Sequence, residues 1–147
     1  MIEHSETARN STTVKNCSVK GVLFSAGSIH LIIERRYIVA MASVHERNHS
    51  DVWIKDTPKM SVEKLLGLES LDHTRQHHRC FLIMNNSNGM LTLEVDEPVE
   101  LIDISLDTLH LLPVLIASRI NLPCIKAIVA LKKGLGLFLD PENLPTK

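Results

Sequence analysis

The chain has 147 residues, and 16 Lys plus Arg stand against 17 Asp plus Glu, a formal charge of −1. Hydrophobic residues make up 44% and charged residues 22%, the composition of one globular domain rather than of a disordered chain. The neutral balance lacks the basic footprint of a nucleic-acid or anionic-membrane binder, and 3% aromatics cannot build a base-stacking platform.

Residues 1–16 are rich in Ser, Thr, Asn and charge and read as a flexible tail, leaving 17–147 as a single domain. The tail has no apolar stretch of the kind a secretory signal needs. The most apolar stretch, 111–131, is interrupted by Pro113, Arg119, Pro123 and Lys126, so no membrane insertion is expected. Cys17, Cys80 and Cys124 are odd in number and widely spaced, without a CxxC pair. Neither a disulfide framework nor a cysteine zinc site is indicated, and a reducing cytoplasm is the expected compartment.

In chain order, Val19 to Ser25 reads as a strand with Val22 and Phe24 on one face. Ala26-Gly27-Ser28 is a turn signal, and Ile29, Leu31 and Ile33 share a face of the next run, so the two make a β-hairpin. Tyr37 to Val44 is apolar again, followed by a polar loop from His45 to Asp51 and a short patch, Val52-Trp53-Ile54. Ser61 to Gly67 reads as a short helix, with Ser61 as N-cap, Glu63 at the positive N-terminal end and Gly67 just past the end. Cys80 to Met84 is a strand, and Asn85 to Gly89 a turn by composition.

Met90 to Val95 alternates, with Leu91, Leu93 and Val95 set against Thr92 and Glu94. Pro98 predicts a break or bulge before another strand from Val99 to Ile104, and Asp96-Glu97 reads as a strand-end turn. Ser105 to Leu112 and Val114 to Arg119 have room for helical turns. Ile125 to Leu131 turns at Lys132-Lys133-Gly134 and returns as Leu135 to Asp140, where Pro141 stops it. About eight short strands and one or two small helices, separated by turn signals, predict an all-β sandwich or barrel rather than βαβ units.

Few residues point to chemistry. His45-Glu46-Arg47-Asn48-His49 matches HExxH, which on a helix holds zinc between two imidazoles and uses the Glu as base. A small metal-dependent hydrolase is therefore one alternative function. The segment is polar throughout, however, and lacks the apolar stripe of a buried helix, so a surface loop is expected instead. Asp72-His73 and His77-His78 form a second histidine group, read as solvated. There is no GxSxG elbow, the cysteines lie in or near apolar runs where thiols are usually packing, and Gly134-Leu135-Gly136 is a hairpin turn rather than a phosphate loop. No catalytic residue, metal ligand or cofactor is assigned. Trp53, the sole Trp, is a candidate interface anchor or a cover for one end of the core.

Several stretches in order resemble the CheW-like chemotaxis coupling domain. Thr92 to Ile104 is similar to the family's LxVDxVxEVxxI stretch, Ile125 to Val129 to its IxGVxxL strand, and Leu135 to Leu144 to its terminal LxLLLDxExL. Upstream, Leu23 to Gly27 resembles the opening xxFxxG and Pro58 to Leu68 the PVIDLRxLLGL stretch. The family's VxEI glutamate is absent near Tyr37-Ile38-Val39-Ala40, its NxRG turn is not found, and the stretch from Gly27 to Pro58 is shorter than usual. The resemblance implies two fused five-stranded β-barrel subdomains with the first shortened. It also implies a non-enzymatic adaptor that couples chemoreceptor cytoplasmic tips to a CheA-type histidine kinase. Partner contacts are expected at Tyr37, Val39, Trp53 and Ile54, which flank the altered region. A degenerate domain that self-associates as a homodimer, or that binds a private partner, is the other alternative.

Overall fold

The structure, a computed structural model, describes residues 17–43, 57–67, 78–113 and 123–144. The described residues are mostly strand: β1 (Ser18–Ala26), β2 (Ile29–Glu34), β3 (Ile38–Ser43), β4 (Lys59–Ser61), β5 (Arg79–Asn86), β6 (Gly89–Ser105), β7 (Leu109–Leu111), β8 (Ile125–Leu131) and β9 (Gly134–Leu139). One four-residue helix, α1 (Val62–Leu65), and three 3-10 turns complete them. The all-β expectation is met. The strands pair in the order β3-β5-β6-β1-β2-β9-β8-β7, with β4 added in parallel to β6.

The β1–β2 hairpin forms as expected. Ala26 pairs with Ile29 across a two-residue turn, and Gly27 sits at φ 61°, a conformation that a residue without Cβ adopts at no steric cost. Its side chains divide between two hydrophobic clusters. Val22, Phe24, Leu31 and Ile33 join a large cluster with Leu82, Met84, Leu93 and Val95. Leu23 and Ile32 turn the other way, into a smaller cluster with Ile104, Ala127, Val129 and Phe138. The sequence pattern picked out the first face. The second face is buried as well, so Leu31, Ile32 and Ile33 are all fully covered. β9 behaves in the same way: Leu139 faces the large cluster and Phe138 the small one. Strands buried on both sides read as continuous apolar runs rather than alternations.

The long strand β6 serves both clusters. Residues 89–96 pair with β5, and residues 100–105 pair with β1. Leu23 pairs with Glu100 and Ser25 with Asp96, so Glu97, Pro98 and Val99 stand where β1 offers only Phe24. The bulge predicted at Pro98 is present. The break is not: the two strands expected there are one. Asp96-Glu97 is accordingly within the strand, not at a strand-end turn. Thr92, expected on an open face, is fully buried because β4 covers it, and its hydroxyl lies 2.7 Å from that of Thr57.

Beyond Ser105 the chain makes a 3-10 turn and then leaves β1 to pair with β8 as β7. The helical segment expected over Ser105 to Leu112 is therefore only this turn. Strands β6, β1, β2, β9 and β8 thus surround the small cluster, and β7 closes part of the ring. This is the structural form of the second expected subdomain. The helix expected at Ser61–Gly67 is shorter, Val62–Leu65, but its capping is as read: the Lys64 N–H donates to Ser61 Oγ at 3.2 Å.

Because β2 has no solvent face, Leu31→Ala and Ile32→Ala are each expected to cost about 2–5 kcal/mol of unfolding free energy in urea. A near-neutral result for either would show that β2 is covered on one side only.

Candidate partner-binding surface and the Arg79 cluster

Among the described residues, the large apolar side chains that remain exposed are Val39, Met41, Leu101, Leu106, Leu111 and Leu135. Val39 and Met41 lie on β3, which among the described residues pairs only with β5 and stands at the end of the strand order. The register shifts between Ile38 and Ala40, and Val39 is the residue in the bulge. Bulges re-aim side chains at sheet edges. Val39 is 46% exposed and Met41 48%.

Tyr37 precedes β3 at the end of a 3-10 turn. It packs partly against the large cluster. The Arg36 guanidinium lies 4.7 Å above its ring, and Arg36 Nη2 donates to the Tyr37 hydroxyl at 3.0 Å. Of the four residues expected to touch a partner, the structure thus places Val39 on an exposed edge and Tyr37 at the boundary between core and surface. Trp53 and Ile54 lie outside the described residues, as do the HExxH segment, His73 and His77. Met41 was missed in the sequence because an apolar residue in an apolar run carries no mark of exposure.

The second feature missed is a charge cluster. Glu63, read only as an acidic residue at the positive end of a short helix, is 5% exposed. Arg79, at the start of β5, donates from Nη1 and Nη2 to both Glu63 carboxylate oxygens at 2.7 and 3.0 Å. The same guanidinium reaches Asp96 Oδ1 at 2.6 Å and Glu94 Oε1 at 3.3 Å. Its planar fork suits this multiple grip. The hydrogen bonds that Arg79 donates to Glu63 are the main cause that raises the Arg79 pKa above its ordinary value, against the opposing effect of burial. A permanent cation that satisfies nearby carboxylates is a structural tie between α1, β5 and β6, not a proton shuttle.

The thiols divide by burial. Cys80 and Cys124 are buried, and desolvation pushes both above the ordinary cysteine value. That keeps them protonated and unreactive near neutral pH. Cys17, expected to pack like the others, is exposed. Among the described residues no three His, Cys, Asp or Glu side chains are grouped to hold a metal ion. No described helix is long and apolar enough to cross a membrane.

The fold and its surfaces first define a class: a small all-β domain with two adjoining cores and apolar residues at its sheet edges. No family model and no curated protein matches the sequence. Among solved structures, the chain is similar to the crystal structure of the scaffolding protein TtCheW from Thermoanaerobacter tengcongensis. The TM-score is 0.64 at 13% identity, over 85% of this chain and 86% of that one. The chain has a divergent CheW-like fold.

Two outcomes check the chemistry of these sites. Arg79→Met leaves carboxylates without their cation and is expected to cost about 3–5 kcal/mol, partly recovered when Glu63→Gln is added. An equal loss in the double variant would show that Glu63 does not depend on Arg79. With a thiol reagent at pH 8, Cys17 is expected to react in the native protein and Cys80 and Cys124 only after denaturation.

Proposed function

We propose that this chain is a non-enzymatic adaptor of bacterial chemotaxis or surface-motility signalling. In this reading it works in the cytoplasm and couples chemoreceptor tips to a CheA-type histidine kinase through protein–protein contacts. The supporting observation is the fold likeness to a scaffolding protein over nearly the full length of both chains. The ordered stretches from Leu23 to Leu144 add to it.

The physical features are those an adaptor uses. Sheet edges offer unpaired backbone and alternating side chains to a partner. The β3 edge carries exposed Val39 and Met41 beside Tyr37. In the proposal these residues, together with Trp53 and Ile54, form the contact region. The near-neutral charge leaves recognition to shape and apolar burial more than to long-range attraction.

Titration of the full chain against the kinase and the receptor tips of the same organism tests the proposal. Binding to at least one is expected, and Val39→Asp should weaken it about tenfold, the loss of about 1.4 kcal/mol, with an unchanged melting temperature. Absence of binding to either at high micromolar concentration would remove the coupling role.

A further inference from the structure

The turn between β5 and β6 carries the one Asn-Gly pair in the chain, Asn88-Gly89. Asn86 pairs with Gly89 as the last rung of the hairpin, and Ser87, Asn88 and Gly89 are all exposed. Gly89 sits at φ 118°, and a Cβ built there would meet nothing within 4 Å. With no side chain of its own, the residue leaves its amide nitrogen open to approach from Asn88.

The asparagines of the turn differ in how they are held. The Asn86 carboxamide is fixed at both ends. Its Nδ2 donates to the Pro141 carbonyl at 2.9 Å, and its Oδ1 accepts from the Asn88 N–H at 2.9 Å. The Asn88 carboxamide makes no hydrogen bond among the described residues. Beside it, the Ser87 N–H donates to both Glu142 carboxylate oxygens at 3.2 and 3.1 Å, and the Ser87 hydroxyl donates to the same carboxylate. These contacts clasp the hairpin tip to the 3-10 turn Pro141–Asn143.

From the unheld carboxamide, the unhindered glycine amide and the adjoining clasp, we infer that Asn88 is a site of spontaneous deamidation whose conversion loosens the contact between Ser87 and Glu142. When the last rung frays, the Gly89 amide nitrogen loses its proton and attacks Asn88 Cγ. A C–N bond forms, the side-chain nitrogen leaves as ammonia, and the product is a five-membered succinimide. Water then opens the ring. Attack at the side-chain carbonyl gives aspartate, and attack at the main-chain carbonyl gives isoaspartate, whose main chain runs through Cβ and Cγ. Either product places a carboxylate on the residue next to Ser87, which grips the Glu142 carboxylate, and like charges repel. Isoaspartate also adds an atom to the main chain of a two-residue turn, which then cannot keep the pairing of Asn86 with Gly89. Pro141 is buried and Leu144 lies in the large cluster, so the change is confined to the clasp while the fold persists. None of this depends on the coupling role.

The test ages the full chain in buffer and maps its peptides by mass spectrometry over time. Asn88 is expected to convert several-fold faster than Asn86, and faster at pH 8 than at pH 6, because the attacking nitrogen must lose a proton. Asn88→Gln, whose longer side chain would have to close a six-membered ring, should show no conversion at that position over the same period. In the aged protein, and in Asn88→Asp made directly, the Ser87 amide should exchange its hydrogen several-fold faster than in fresh protein, while residues 82–84 keep their rates. Conversion at Asn88 no faster than at Asn86, or an unchanged Ser87 amide after conversion, would overturn the inference. An equal rise in exchange at residues 82–84 would place the damage in the fold rather than the clasp and would overturn it as well.

Discussion

Burial of β1, β2 and β9 on both faces is the constraint on which the rest of the structure depends. Strands with no solvent side must be apolar at consecutive positions, and Val22-Leu23-Phe24, Leu31-Ile32-Ile33 and Phe138-Leu139 are. The two hydrophobic clusters then lie on opposite sides of one set of strands, and neither can form without them. Space between the clusters is correspondingly tight. A Cβ at Gly21 would stand 2.9 Å from both Ile104 Cδ1 and Ile32 Cγ2, so a residue without a side chain lets two isoleucines of the smaller cluster approach the strand. Exposed apolar side chains are left to the periphery, Val39 and Met41 on β3 among them.

The Arg79 cluster shows how the larger side is tied together. A helix of four residues has almost no stability of its own. Val62 and Leu65 bury into the large cluster, and the Glu63 carboxylate is held by Arg79 from β5. Enclosing that carboxylate without its cation would be costly, so the ion pair specifies where the helix docks more than it adds stability.

Much of this was legible in the chain. Hairpins announced themselves through Gly27 and Gly134 between apolar runs, and the Ser61 cap through its hydroxyl and position. The alternation of Leu91, Leu93 and Val95 identified a core face. Three things were not legible, each for a physical reason. Burial of the second face of β2 depends on strands from the far end of the chain, and Ile32 alone does not reveal it. The continuity of β6 through Pro98 depends on a bulge, which local sequence cannot distinguish from a break. Glu63, Glu94 and Asp96 look like ordinary surface charge until the fold brings Arg79 among them. Of the surface residues, Val39 was found because it flanks a stretch that departs from the CheW-like pattern, whereas Met41 needed the exposure that only the structure gives.

The shared core and the exposed edges come from the same arrangement of strands. Native-state hydrogen exchange tests that arrangement most directly. If the two clusters share β1, β2 and β9, the amides of residues 22–24, 31–33 and 137–139 will be the slowest in the chain. They will exchange with one common free energy equal to that of global unfolding. Separate opening of the strands around Ile104, Val129 and Phe138, at a free energy well below that of the strands around Leu82 and Leu93, would contradict the shared core and with it the account of this fold.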